Sequence, residues 1–280
     1  ERELLEAISS ALEQGVNFFD TAETYGLGNA ERTLAKGLGR HRCEVVIQSK
    51  FGVRVMPSGT VYDNSPIYIR QALEGTLQRL NTDYVDIYTI HYRDRKTALE
   101  DVMDALLTLK KEGKIRYIGL SNIHEDEICE FLPFKGEFVA CQDEFSLACR
   151  KNEEDLRHLQ AELQITPLTW GSLGQGILTG KYTMDNVDFG KDDRRSREIY
   201  VNFHGEKLEQ NLRIVEVLKQ IASEHGKSVA SCAIRYILDS LNKSVVIAGV
   251  KRSAQLLSNI EAMGWSLSAE ELRLLDDFSK

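Results

Sequence analysis

The sequence predicts an α/β protein in which parallel strands alternate with helices. Seven short runs of β-branched or aromatic residues recur along the 280 residues, with helical stretches between them. Most of these runs lack apolar/polar alternation, as expected when both faces of a strand are covered. Such an order over about 250 residues is typical of a (β/α)8 TIM barrel or a doubly wound sheet. No linker or repeat interrupts it, so we expect a single domain over residues 1–280.

The strand count favours a barrel whose first strand is missing from the N-terminus of the given sequence. A closed barrel of this type needs eight parallel strands. The chain instead opens on a helical pattern from Leu4 to Leu12, which stops at Gly15 ahead of the first visible strand. A seven-stranded open sheet is the alternative. The predicted strands are Val16–Ala22, Glu44–Gly52, Tyr84–His91, Ile115–Asn122, Phe138–Phe145, Thr166–Ser172 and Ser244–Val250.

Capping signals mark the ends of several helices. Ser65 is predicted to cap the helix Ile67–Leu80, with Pro66 at its first position. The capping boxes Thr97-x-x-Glu100 and Ser268-x-x-Glu271 predict the starts of two further helices. Gly113 is predicted to end the helix that begins after Thr97.

The longest irregular stretch is Thr183–Asn202. A loop of this length in a compact domain is usually functional or disordered. We expect it to fold over the mouth of the barrel. Its charged residues are Asp188, Asp192, Asp193, Arg194, Arg195 and Arg197.

The composition excludes several classes of partner. The net charge of −8 and the pI near 5.4 provide no basic face for nucleic acid. No apolar run approaches the ~20 residues that span a bilayer, and no signal peptide is visible. The five cysteines lack CxxC pairing and metal-ligand spacing. We therefore expect a cytoplasmic protein with reduced thiols, no metal site and a small-molecule substrate; the sequence does not predict its oligomeric state.

Polar side chains stand at the carboxyl ends of five predicted strands. In a parallel barrel these ends form one rim, where catalytic groups gather. Each of these residues, taken alone, is more often a turn, packing or surface residue than a catalytic one. Only their joint arrangement indicates a site. The residues are Asp20, with Tyr25 in the following loop, Lys50, His91, Ser121 with Asn122, and Gln142.

Four of these residues form a chemically sensible proton-delivery group. A tyrosine hydroxyl titrates near ~10, and an adjacent ammonium lowers that pKa by stabilising the phenolate. A buried carboxylate beside the lysine keeps the ammonium charged and oriented. Tyr25, Lys50, Asp20 and His91 could thus polarise a carbonyl group and protonate the developing alkoxide. They cannot supply an electron pair, so a hydride donor is needed.

At these residues the sequence resembles the aldo-keto reductase superfamily, most closely its bacterial members associated with inositol and sugar metabolism. The resemblance runs nearly end to end and in the family's order. The matching blocks are Phe18–Gly26, Ser49–Gly52, Asp86–His91, Gly113–Asn122, Gly171–Lys181 and Ile247–Arg252.

The resemblance implies an NADP(H)-dependent reduction of an aldehyde or ketone, with Tyr25 as general acid. Lys50 and Asp20 would tune Tyr25, and His91 would orient the carbonyl group. Lys251 and Arg252 would bind the 2′-phosphate, which favours NADPH over NADH. The other implied cofactor contacts are Ser121, Asn122 and Gln142 on the nicotinamide carboxamide, Trp170 stacked where the family has tyrosine, Gly171, Ser172 and Leu173 at the pyrophosphate, and Gly249, Gln255 and Asn259 near the adenosine.

Two other functions stay open on the sequence. An NADPH-binding regulatory or scaffold barrel with little turnover could carry the same residues. A Schiff-base lyase could use Lys50 as its nucleophile, because barrels host that chemistry too. For the substrate, we expect Phe51, Tyr92, Arg93 and the loop around Arg194–Arg197 to line the mouth, which would suit a polar sugar or cyclitol carbonyl.

Overall fold

The computed structural model describes residues 1–187, 189–190 and 193–280, with only the backbone of Arg194. It confirms all seven predicted strands, each within the predicted range and shorter than it. The strands are β1 Phe18–Asp20, β2 Val46–Phe51, β3 Val53–Met56, β4 Gly59–Tyr62, β5 Val85–Ile90, β6 Ile115–Ser121, β7 Phe138–Glu144, β8 Thr166–Trp170 and β9 Val245–Val246. The α-helices are α1 Arg2–Glu13, α2 Asn29–Leu38, α3 Pro66–Leu80, α4 Leu99–Lys111, α5 Ile128–Phe131, α6 Glu153–Leu163, α7 Gly205–His225, α8 Val229–Ser240, α9 Ser253–Ile260 and α10 Ala269–Ser279.

The described chain divides into two compact units. The first unit comprises Glu1–Gln142, Asp155–Thr166 and Val250–Ser253. Its main sheet has the order β1-β2-β5-β6-β7, and each neighbouring pair is parallel. The carboxyl ends of these strands therefore lie along one edge of the sheet, as the α/β prediction requires. The closed eight-stranded barrel stays a prediction.

The second unit comprises Asp143–Glu154, Pro167–Gly249 and Ala254–Lys280. Within it, β8 and β9 pair in parallel, with Leu168 opposite Val245. The long helix α7 begins at Gly205 and ends where Gly226 adopts a left-handed φ of 62°.

The core of the first unit explains why its strands lack alternation. Every residue of β5 is buried, and β2 is buried from Ile47 to Phe51. Phe51 stacks on Tyr88 of the neighbouring strand with ring centroids 4.8 Å apart. These strand residues form one hydrophobic core with residues of α2, α3 and α4. Their side chains are therefore withdrawn from water.

A β-hairpin formed by β3 and β4 was not predicted. It follows β2 directly, pairs antiparallel, and turns through Pro57 and Ser58. The amide of Asp63 closes its base by donating to Gly52 O at 3.1 Å. Most of its side chains are exposed or half-exposed. Burial therefore left little pattern in the sequence, although the Pro-Ser-Gly turn between two valine-containing runs was a usable signal.

Two of the three predicted helix caps are confirmed and one is wrong. Ser65 accepts from the Tyr68 amide at 3.3 Å, and Ser268 and Glu271 form their capping box. The box at Thr97 does not form. Helix α4 begins two residues later, and the Thr97 hydroxyl donates to Asp94 Oδ2 at 2.7 Å. The Asp94 carboxylate accepts from both the amide and the hydroxyl of Thr97, which ties Thr97 to the preceding turn instead of to the first turn of α4.

Among its described residues, the long irregular stretch has helical structure in short 3₁₀ turns, at Met184–Asn186, Arg194–Ser196 and Val201–Phe203. Of its predicted charged residues, Asp188 and Asp192 lie outside the described residues. Arg195 pairs with Asp193, and its guanidinium lies 4.3 Å from the ring centre of Phe189. A role for this loop at the mouth stays a prediction.

No helix within the described residues has both the length and the apolar character needed to cross a membrane. The five cysteines are all free thiols, and Cys141 and Cys232 are buried.

Candidate active site

Four predicted residues come together at the carboxyl ends of β1, β2 and β5. Asp20 is the last residue of β1, and Tyr25 begins the 3₁₀ turn that follows. Lys50 stands near the end of β2, and His91 comes directly after β5. The His91 amide donates to Phe51 O at 2.9 Å, which extends the β2–β5 ladder up to the site.

Lys50 links the other members of this group. Its ammonium lies 2.7 Å from each oxygen of Asp20, 3.0 Å from Thr21 O and 3.4 Å from Tyr25 Oη. The lysine is only 1% exposed. Because a buried ammonium is stable only when it is paired and hydrogen-bonded, Asp20 is required to hold the charge beside the tyrosine.

The rings of Tyr25 and His91 lie edge to face beside Lys50. Tyr25 is 40% exposed, and its ring lies edge-on to His91 with centroids 6.1 Å apart. Burial, followed by the positive charge of Lys50, lowers the pKa of His91 to about 3. The imidazole is therefore neutral at physiological pH. Among the described residues its Nδ1 has no hydrogen-bond partner.

Three amide and hydroxyl side chains line the neighbouring strand ends. Ser121 closes β6, and Gln142 lies opposite it in β7. Asn122 adopts a left-handed φ of 55°, a conformation that asparagine tolerates. Its Nδ2 donates to His91 O and to Ser121 Oγ, both at 3.0 Å. The first unit therefore brings seven of the predicted site residues to one edge of its sheet.

Gln48 was missed by the sequence analysis. It is 1% exposed in the middle of β2, and its Nε2 donates to Asp20 Oδ1 and to Gln142 Oε1, each at 2.8 Å. A buried amide must find hydrogen-bond partners. A glutamine within a strand that is buried from Ile47 to Phe51 was therefore a signal that could have identified it.

Glu23 was also missed, although it lies within the loop between Asp20 and Tyr25. Tyr68 of α3 donates to its Oε1 at 2.9 Å, which anchors this loop to the helix. Burial raises the pKa of Glu23 to about 7, and the hydrogen bond from Tyr68 opposes that rise only in part.

The structure corrects two of the residues expected to line the mouth. Phe51 is fully buried against Tyr88 and faces the core. Arg93 is 9% exposed, and its guanidinium is held by Glu130 at 2.7 Å and Thr97 O at 3.1 Å. Tyr92 instead stacks on His91, with centroids 5.1 Å apart. Its other neighbour is Tyr62 of the hairpin, at 5.2 Å.

The remaining predicted cofactor residues are divided between the units. Lys251 and Arg252 belong to the first, where Arg252 Nε lies 3.1 Å from Glu3 Oε1 on the surface. In the second unit, the Ser172 hydroxyl lies within hydrogen-bond distance of two carbonyl oxygens, Thr169 O at 3.0 Å and Ile247 O at 3.2 Å. The other second-unit residues are the half-buried Trp170, Gly171 with a φ of 67°, Leu173, Gly249, Gln255 and the nearly buried Asn259.

Known proteins that are similar in sequence or in fold include a reductase of a carbonyl compound and a dehydrogenase of an alcohol. An aldo-keto reductase of Bacillus subtilis is 31% identical over 274 residues, which cover 97% of this chain and 82% of the relative. An NADH-specific methylglyoxal reductase of Escherichia coli is 28% identical, covering 99% of this chain and 87% of its own. The solved structure of a glycerol dehydrogenase from Gluconobacter oxydans matches with a TM-score of 0.89 at 29% identity, covering 98% of this chain and 84% of that chain.

The family model for the aldo/keto reductase family matches residues 1–280. Because this match covers the chain throughout, the chain belongs to the aldo/keto reductase family.

Proposed function

We propose that this protein is an NADP(H)-dependent carbonyl reductase in which Tyr25 is the general acid. The observation that carries the proposal is the position of the Lys50 ammonium, 3.4 Å from Tyr25 Oη and 2.7 Å from both oxygens of Asp20. A lysine buried in this way serves the tyrosine and cannot act as a solvated surface charge.

The geometry supports proton donation by Tyr25. As the phenolic proton moves to the carbonyl oxygen of the substrate, negative charge develops on Tyr25 Oη. The Lys50 ammonium stabilises that charge at short range in a buried setting, where electrostatic interactions are strong. Asp20 keeps Lys50 oriented, and the exposed face of Tyr25 leaves its hydroxyl within reach of a substrate.

His91 supports the same oxygen as a neutral hydrogen-bond donor. Its low pKa, about 3, means that it does not compete with Tyr25 as the acid at neutral pH. The imidazole N–H can donate to the substrate carbonyl and fix its direction relative to Tyr25. The stacked Tyr92 limits rotation of the ring.

The residues on β6 and β7 fit a nicotinamide carboxamide, whose ring would supply the hydride that the protein lacks. The nitrogen of Asn122 is engaged by His91 O and Ser121 Oγ, so its oxygen is left as an acceptor. Gln142 accepts from Gln48 through Oε1, so its nitrogen is left as a donor. A primary carboxamide needs one donor and one acceptor in this arrangement.

The preference for NADP(H) rests on Lys251 and Arg252, which are exposed cations directly before α9. A 2′-phosphate carries the charge that two such cations recognise. Trp170, Gly171, Ser172, Leu173, Gly249, Gln255 and Asn259 are proposed as the remaining cofactor contacts.

For the substrate we propose a small polar carbonyl compound, such as a sugar or cyclitol ketone. The aromatic side chains next to His91 support this choice. Tyr92 stacks on His91, and the half-exposed Tyr62 of the hairpin lies against Tyr92 at a tilt of 35°. Aromatic side chains of this kind pack against the C–H faces of polyols and leave the hydroxyl groups to water.

The test is NADPH consumption against a panel of aldehydes, sugars and inositol ketones, with Tyr25→Phe measured beside the parent. We expect turnover by the parent and a loss of at least ~100-fold in the variant, as for removal of a general acid. NADPH binding without turnover on any substrate would favour the regulatory barrel. Borohydride trapping of Lys50 on substrate without nicotinamide would favour the Schiff-base lyase.

A further inference from the structure

We propose that Gln48 is a positioning residue that fixes which end of the Gln142 amide faces the ligand. It would thereby make Gln142 a hydrogen-bond donor toward the carbonyl oxygen of the cofactor carboxamide. The inference deepens the proposed function and rests on it, because it concerns the same site and the same nicotinamide.

The geometry around Gln48 allows only one orientation of its side-chain amide. Both oxygens of Asp20 accept from the Lys50 ammonium at 2.7 Å, and a carboxylate in such an ion pair only accepts hydrogen bonds. The group of Gln48 that lies 2.8 Å from Asp20 Oδ1 must therefore be the nitrogen. The same nitrogen lies 2.8 Å from Gln142, so both of its hydrogens are engaged.

The orientation of Gln142 follows from that of Gln48. A donor nitrogen on Gln48 requires an acceptor opposite it, and Gln142 supplies Oε1. A half-turn of the Gln142 amide would set two N–H groups against each other between residues that are 1% and 2% exposed. Unpaired buried donors are costly, so Gln142 keeps its nitrogen on the opposite side, toward the site.

The dependence on Gln48 is specific to one half of the carboxamide. Gln142 Nε2 would donate to its carbonyl oxygen, and Asn122 Oδ1 would accept from its amino group. Asn122 is oriented independently, through His91 O and Ser121 Oγ. A change at Gln48 should therefore weaken recognition of the carbonyl oxygen and leave recognition of the amino group intact.

Two cofactor analogues separate these halves in a binding experiment that needs no turnover. The thionicotinamide analogue of NADPH replaces the carbonyl oxygen with sulfur, a weak acceptor. The 3-acetylpyridine analogue keeps the oxygen and replaces the amino group with methyl. Dissociation constants of NADPH and both analogues are measured by titration calorimetry. The parent should prefer NADPH to each analogue by about tenfold, the scale of one hydrogen bond.

Gln48→Met removes both hydrogen bonds at nearly constant volume. We expect its preference for NADPH over the thionicotinamide analogue to fall to about twofold or less, whereas the tenfold preference over the 3-acetylpyridine analogue is retained. Thr89→Val, in register with Lys50 on the next strand, is the packing control and should keep both preferences. Equal weakening of all three ligands by Gln48→Met would show a merely structural role and overturn the inference.

Gln48→Leu is a second variant if the methionine variant does not fold. It also removes both hydrogen bonds, so the preference for NADPH over the thionicotinamide analogue should again fall to about twofold or less. Retention of the parent's preferences in either folded variant overturns the inference, as does a parent with no preference over the thionicotinamide analogue. A parent that binds none of the three ligands contradicts the proposed function itself.

Discussion

In the first unit, a buried carboxylate lies at each end of the parallel strands and is paired with one or two cations. The two clusters differ in whether a neighbouring side chain is accessible to a ligand. At the carboxyl ends, Lys50 and Asp20 sit beside the exposed hydroxyl of Tyr25. At the amino ends, Asp86 accepts from the Ile47 amide at 3.0 Å and pairs with Arg42 and Arg116.

The amino-end cluster is closed upon itself. The guanidinium groups of Arg42 and Arg116 lie 4.3 Å and 4.0 Å from the ring centre of Tyr84, and Arg42 also donates to Tyr84 O at 2.8 Å. Each charged group there is engaged by another part of the cluster, so the cluster holds strands in place. A buried ion pair by itself therefore indicates no chemistry; an open, reactive neighbour beside it does.

The largest expected effect comes from breaking the pair at the carboxyl ends. Lys50→Met leaves Asp20 buried without its cation, which should destabilise the fold by about 3–5 kcal/mol and lower turnover by at least ~100-fold. The double variant Asp20→Asn with Lys50→Met should regain most of the stability without regaining turnover. Urea unfolding and steady-state rates measure the two quantities. Recovery of turnover in the double variant would contradict the role assigned to Lys50.

Asp86→Asn tests the cluster at the amino ends of the strands, which we expect to affect stability without affecting catalysis. We expect a loss of about 3 kcal/mol in the free energy of unfolding, because two arginines lose their counter-charge. The kcat and KM should stay within twofold of the parent below the melting temperature. A large fall in kcat for the folded variant would show that the amino-end cluster also serves the chemistry.

A smaller effect is expected from His91, which makes the free energy of unfolding depend on pH. The unfolded chain protonates this histidine near pH 6.5, whereas the folded protein holds its pKa at about 3. Between these values the unfolded state binds more protons, so stability falls as the pH falls. From pH 7 to pH 5 this amounts to about 2 kcal/mol. The stability difference between the parent and His91→Asn should shrink by that amount, as measured by urea unfolding at both pH values. An unchanged difference would contradict the low pKa.

The smallest effect distinguishes the two arginines of the closed cluster. Arg116 is 54% exposed, so its ion pair is screened and Arg116→Ala should cost less than about 1 kcal/mol. Arg42 is 14% exposed and also holds the carbonyls of Val45 and Tyr84. Arg42→Ala should therefore cost more than Arg116→Ala in thermal unfolding. The reverse order would mean that exposure is a poor guide within this cluster.

The features that could be predicted from the sequence are those with a local pattern of apolar and polar residues. Strands such as β2 and β5 were visible because both of their faces are buried, and Asp20, Lys50 and His91 were visible because each stands at or beside the carboxyl end of a strand. Their joint placement followed from parallel topology alone.

What sequence reasoning missed depends on contacts between distant segments. The cap at Thr97 did not form because Asp94 binds the amide and hydroxyl of Thr97 and holds this residue in the preceding turn. Gln48 gained its role from Gln142, which is 94 residues away along the chain. The exposed hairpin left no core pattern. Each of these outcomes was set by a partner that local propensity does not register.

The hairpin of β3 and β4 is tied off at its base, where Val53 pairs with Tyr62 and the Asp63 amide bonds to Gly52 O. Its two ends therefore meet at one point, directly after the strand that carries Lys50. A segment closed in this way can be lengthened, shortened or exchanged as a cassette without moving the strand beneath it. Substitutions and length changes in residues 53–62, in natural relatives or in directed libraries, can thus be made while Lys50 and the residues around it keep their positions.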